Sequence, residues 1–147
     1  LRYEAYLGID PGKSGGIALV TEDSAEAHKI PPTNLDLFNL ITSLVEGKNT
    51  FAVIEKVHSS PQMGVRSAFT FGQGKGALLM ALAVNTQLNQ LIYEEVTPRK
   101  WQQSLSCLSG GDKNVTKERA QRLFPKIKIT HAIADALLIA EYAKRTY

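Results

Sequence analysis

The stretch Gly8–Leu19, GIDPGKSGGIAL, restricts the possible folds more than any other part of the chain. It has the look of a phosphate-binding loop, with an apolar strand in front and Gly12-Lys13-Ser14 behind. The spacing argues against that. Such a loop needs four residues between its first glycine and the Gly-Lys-Ser/Thr, and here Gly8 and Gly12 enclose only Ile9, Asp10 and Pro11. Pro11 removes an amide that the loop would use. A phosphate loop must also open a helix, whereas GGIALV (15–20) is short, apolar and partly β-branched, the pattern of a second strand. The stretch therefore predicts strand, tight turn, strand, with a carboxylate, Asp10, at the end of the first strand. Asp before Pro-Gly is a common turn starter, so on this stretch alone a turn role and a catalytic role stand side by side.

The remaining elements follow from periodicity. LDLFNLITSLV (35–45) has helical spacing with Asn34 as its expected N-cap. TFAVIEKV (50–57) reads as a strand carrying a second acid, Glu55, followed by a loop with Ser59, Ser60, Pro61 and Gly64. A long helical region spans about Val65 to Leu91, with an interruption expected at GQGKG (72–76). QLIYEEV (90–96) is a strand, and Thr97-Pro98 starts a short helix. LSGGDKN (108–114) is a loop, VTKERAQRLF (115–124) a helix stopped by Pro125, and THAIADALLIAEYAKR (130–145) a strongly amphipathic last helix. A hairpin followed by alternating strands and helices predicts an α/β fold. Its mixed sheet is antiparallel at the start and parallel afterwards, with helices on its faces.

At 147 residues, 44% hydrophobic and 21% charged, the chain reads as one globular domain, 1–147. A single cysteine, Cys107, cannot form an internal disulfide, which suits a reducing compartment. No signal peptide is evident and no apolar run approaches the roughly 18 residues of a membrane helix, so no membrane association is expected. The net charge of +3 is mild. The segment 113–128, however, is rich in Lys and Arg against the lone Glu118. It is either a solvated face or a surface for phosphates.

Asp10 and Glu55 end predicted central strands, at the sheet edge where α/β folds build sites. Asp135 lies early in the last helix among Ala134, Ala136, Leu137, Leu138 and Ile139, where an acid is costly unless paired or bound to a cation. Three acids from distant parts of the chain at one sheet edge point to Mg²⁺ ions, whose chemistry suits phosphodiester substrates. A helix N-terminal acid facing the helix dipole is the plainer reading of Asp135 taken alone.

In this order and spacing, GIDPGKSGGIAL, AVIEKVHS, AFTFGQGKGALLMAL, TPRKWQ and HAIADALLIAEYAKR resemble the RuvC-type Holliday junction resolvases, with a flavour nearer the phage and chloroplast members. The resemblance spans nearly the whole chain. It implies an RNase H-like fold, a five-stranded mixed sheet with helices on both faces, and a metal-dependent endonuclease. That enzyme would be a homodimer hydrolysing phosphodiesters of four-way DNA junctions symmetrically to 5′-phosphate and 3′-hydroxyl ends. The expected cofactor is a pair of Mg²⁺ ions, replaceable by Mn²⁺, with no nucleotide cofactor. By position, Asp10, Glu55 and Asp135 match three of four metal-binding residues. The fourth falls at Ala132 or His131, both on the helix face of Asp135. His131 is expected to serve as ligand or as a base; alternatively Ala132 replaces an acid, by nature or by inactivation. Lys113 matches a lysine used near the scissile phosphate. Lys13, His58, Arg66, Lys113 and Lys117 are the expected DNA contacts, and His58 stands where relatives place a junction-wedging aromatic. Phe69 and Phe71 are alternatives for the wedge, although helical spacing favours core positions for both, and Trp101 reads as a core or loop anchor rather than a base platform. The first half of the long helix (65–80) is the expected dimer surface. The cytoplasm of a bacterium or phage-infected host is the expected location, or a plastid after removal of a transit peptide. Other readings are a junction-binding form with an impaired metal site, an RNase H-like nuclease on other branched DNA or RNA, and, last, an actin-like ATPase.

Overall fold

The computed structural model describes residues 2–147. Its centre is a five-stranded mixed sheet built from β1 (Ala5–Asp10), β2 (Gly16–Val20), β3 (Ala25–Lys29), β4 (Thr50–Glu55) and β5 (Leu91–Val96), in the order β3-β2-β1-β4-β5. β1, β2 and β3 are antiparallel neighbours, while β4 and β5 add parallel to β1. Five helices complete the chain: α1 (Asn34–Val45), α2 (Val65–Leu88), α3 (Pro98–Ser104), α4 (Lys113–Leu123) and α5 (His131–Thr146).

Strand alternation divides the core in two. Ala5, Leu7 and Ile9 of β1 and Ala52 and Ile54 of β4 face one side, where they pack against Leu37, Ile41 and Leu44 of α1 and Leu78 and Leu82 of α2. Tyr6 of β1 and Phe51 and Val53 of β4 face the other side, under α5, with Trp101 of α3 and Ala120 of α4. On this second side the helix approaches the sheet backbone directly. A Cβ at Gly8 would collide with the Ala136 carbonyl and the Ala140 amide, and one at Gly16 with the Ala132 carbonyl. Glycine in the strands, facing backbone of the alanine-spaced turns of α5, makes the approach possible.

Several boundaries depart from the sequence reading. β3, AEAHK, carries no apolar alternation and was not among the expected strands; its inward-facing Ala25 and Ala27 are small, and they suffice because β3 is an edge strand pairing on one side only. The N-cap of α1 is Thr33, not Asn34: the Thr33 hydroxyl accepts from the Asp36 amide at 3.1 Å. α2 runs unbroken through GQGKG, because Leu78, Ala81, Leu82 and Asn85 anchor its second half and outweigh the roughly 1 kcal/mol that each glycine costs a helix. It stops at Leu88 so that Leu91 can enter β5. β4 ends at Glu55 rather than at residue 57, and α4 begins at Lys113 rather than 115, because the Asp112 carboxylate caps it by accepting from the Asn114 amide at 3.0 Å. Thr97 caps α3 with Pro98 in the first turn, as the sequence indicates. No helix among the described residues is long and apolar enough to cross a membrane.

Candidate active site at the sheet edge

Register places the first two acids. The last paired residues of β1 and β4 are Ile9 and Ile54, and Asp10 and Glu55 each follow by one residue. Parity turns both towards the α5 side, since Ile9 and Ile54 belong to the opposite core. Asp135 comes from the second turn of α5, which the Gly8 and Gly16 contacts press onto the same strands.

The three acids lie within reach of common charges. Burial pushes the Asp10 carboxyl up to about 8, with the charges of Glu55 and Asp135 adding to the rise and Lys113 opposing it. Glu55 is raised by burial, against the Trp101 hydrogen bond; Asp135 raises it further and Lys113 lowers it. Asp135 is raised by burial too, while Thr116, Lys113 and His131 favour its charged form. Lys113, exposed at the start of α4, is thus a cation whose field reaches all three acids.

Among the described residues, no three His, Cys, Asp or Glu side chains are grouped tightly enough to hold one ion. Carboxylates that destabilise one another's charge gain nothing by closing together without a counter-cation. The donor set itself fits a hard divalent cation: oxygen atoms, supplied from three rigid elements, at a half-buried edge.

His131 is exposed in the first turn of α5, and its charge acts on Asp135. Ala132 is half-buried against the core, and its carbonyl lies over Gly16, the cross-strand partner of Asp10. Position 132 therefore belongs to the site's immediate surroundings. Lys13 is exposed in the β1–β2 turn, His58 and Arg66 are exposed around the β4–α2 loop, and Lys117 is half-buried one turn beyond Lys113. Phe69 departs from the expected core position: it is 68% exposed, because the buried residues of α2, Leu78, Ala81, Leu82 and Asn85, all lie in its second half. Phe71 is half-buried.

Three residues near the site escaped the sequence reading in their roles. Trp101 is wholly buried, as a core anchor should be, but its indole N–H also donates to Glu55 Oε2 at 2.8 Å. Only the pairing of β4 with β5, which sets α3 beside Glu55, could have signalled that. Lys29 pairs across Gly16, which in turn pairs with Asp10, so Lys29 and Asp10 share a row and a face. Lys29 was invisible because β3 was. Lys75, inside GQGKG, donates to the Val57 carbonyl at 3.0 Å and lies 3.5 Å from Glu95, tying the start of the loop after Glu55 to α2.

No family model matches the chain. A crossover junction endodeoxyribonuclease RuvC from Hyphomonas neptunium is 29% identical over 92% of this chain and 90% of the relative. Among solved structures, Thermus thermophilus RuvC in complex with a Holliday junction substrate superposes with a TM-score of 0.59 at 20% identity, over 96% of this chain and 94% of that one. The yeast mitochondrial Holliday junction resolvase superposes at 0.56 and 13% identity, over 95% of this chain and 78% of that one. These relatives assign the chain to no particular branch.

Proposed function

We propose, on the premise that this chain belongs with the RuvC-type Holliday junction resolvases of RNase H-like fold, that it is an endonuclease hydrolysing phosphodiester bonds of four-way DNA junctions. The observation that carries the reading is the meeting of Asp10, Glu55 and Asp135 at one sheet edge under the field of Lys113. Asp10, Glu55 and Asp135, with His131 beside Asp135, are the residues that would hold Mg²⁺ or Mn²⁺. A pair of such ions supplies charge to the attacked phosphate and lowers the pKa of water.

The chain's own groups do the rest. Lys113 offsets negative charge at the scissile phosphate. His131, solvent-facing at the start of α5, takes a proton from the attacking water or completes the ligand set. Lys13, Lys29, Arg66 and Lys117 offer cations to the DNA backbone around the acids, and His58 presents a ring at the exposed loop for stacking on a base. Lys75 holds that loop's first residues against α2. The stretch 65–80 of α2 leaves Val65, Phe69 and Met80 exposed by 89%, 68% and 64%. We assign this strip to a homodimer contact, which would give two sites related by a two-fold axis, matching the symmetry of a four-way junction.

A second reading is favoured by Ala132, which stands beside Asp10's partner Gly16 where an acid would complete the cluster: a junction-binding form that turns over poorly. Cleavage of a mobile four-way junction in Mg²⁺, comparing the chain with Ala132→Asp and Asp10→Asn, separates the two. The nuclease reading expects the chain to cut and Asp10→Asn to lose about 10²–10³-fold in rate while still binding the junction. If only Ala132→Asp cuts, the binding form is correct. Preferential cleavage of flaps, splayed arms or RNA–DNA duplexes over junctions would overturn the substrate assignment.

A further inference from the structure

Glu55 is held by a residue far from it in sequence. β5 sets its last residue, Val96, opposite Glu55, and α3 begins just beyond. One turn into α3, the Trp101 indole N–H donates to Glu55 Oε2 at 2.8 Å. The indole is wholly buried, in the core cluster that includes Leu105, Cys107 and Ala120. Losing the bond would leave its N–H orphaned in that core, where an unpaired donor is costly. The carboxylate's other oxygen is different. Among the described residues the sole enclosed side-chain polar atom without a partner is the Tyr142 hydroxyl, so Glu55 Oε1, which has no partner, is not enclosed.

We propose that Trp101 is a positioning residue of the active site: by occupying Oε2 it fixes the plane of the Glu55 carboxylate and presents Oε1 alone to a divalent cation bound at this sheet edge. The inference rests on the cation site of the preceding section. A ring that merely filled the core would need no N–H on this edge. Preorganised carboxylate ligands are ordinarily secured by such outer hydrogen bonds.

Trp101 is the single tryptophan of the chain, so replacing tryptophan residue-specifically alters this position alone. The full chain is prepared in four forms: the parent, Trp101→Phe, azatryptophan, which keeps the ring N–H, and benzothienylalanine, which has sulfur in its place at nearly the same shape. Mn²⁺ binding is read from the electron paramagnetic resonance of free Mn²⁺, with no DNA present. The parent and the azatryptophan chain are expected to bind alike, and the Phe and benzothienylalanine chains about tenfold more weakly. In junction cleavage the same two chains should recover most of their rate at saturating Mg²⁺. If Trp101→Phe does not fold, the benzothienylalanine chain, which fills the same volume, carries the comparison. Equal Mn²⁺ affinity in the parent and the benzothienylalanine chain overturns the positioning role while leaving the cation site in place. Absence of Mn²⁺ binding in the parent itself overturns the cation site, and the positioning role with it.

Discussion

The two faces of the sheet are built by different means. Under α1 and α2, branched and aliphatic side chains interdigitate in the ordinary way: Leu7, Ile9 and Ile54 against Leu37, Ile41 and Leu78, with no acid of the site among them. Under α5 the spacing is closed by the absence of side chains, with Gly8 and Gly16 meeting helix backbone at Ala136, Ala140 and Ala132. A helix separated from the sheet by large side chains would hold Asp135 away from Asp10. The face that carries the proposed site is therefore the one whose packing tolerates least change, and the opposite face is a support that can be repacked.

The largest break in that contrast is expected from Gly8→Ala. The added methyl has no room against α5 backbone, which cannot yield as a side-chain tip would, so a loss of about 3 kcal/mol or more in unfolding free energy is expected. Chemical denaturation measures it, and a loss below about 1 kcal/mol would mean that α5 is not seated as described. On the same face, pH should act through Asp10. Its folded carboxyl is raised from 3.8 to about 8, so the folded chain binds more protons than the unfolded one between those values. Stability of the metal-free chain should thus fall as pH rises through that window and level off above it. Asp10→Asn should flatten the profile, and Mg²⁺ should oppose the fall in the parent; thermal unfolding across pH 5 to 9 is the measurement. The smallest effect belongs to the other face. Ile41→Val should cost only about 1 kcal/mol and leave Mn²⁺ affinity and cleavage rate at parent values. A change in metal affinity there would show that the two faces are coupled.

Much of this architecture was legible in the chain. The apolar runs ending in Asp10 and Glu55, the turn chemistry of Pro11-Gly12 and the alternation of later elements carried the sheet, its antiparallel start and its parallel continuation. The acids could be grouped because strand ends in such a sheet lie together. What resisted reading was decided by neighbours. AEAHK has no strand signal of its own and forms β3 only because β2 offers it an edge. GQGKG carries a breaker's composition, yet stays helical because the turns beyond it are buried. Phe69 has core spacing along a helix whose first half has no core to meet.

The sequence by itself determined the elements other than β3, the place of Asp10 and Glu55 at strand ends, and the separation of a small-residue helix, α5, from the aliphatic ones. Those are local properties: side-chain alternation, turn geometry and residue size act within a few positions. Only the tertiary structure decided that Lys29 shares a row with Asp10, that Lys113 acts on all three acids and that Trp101 takes one oxygen of Glu55. Each of these joins residues distant in the chain, through strand register or helix seating. Register and seating follow from the packing of the whole core, so no short window of sequence contains them.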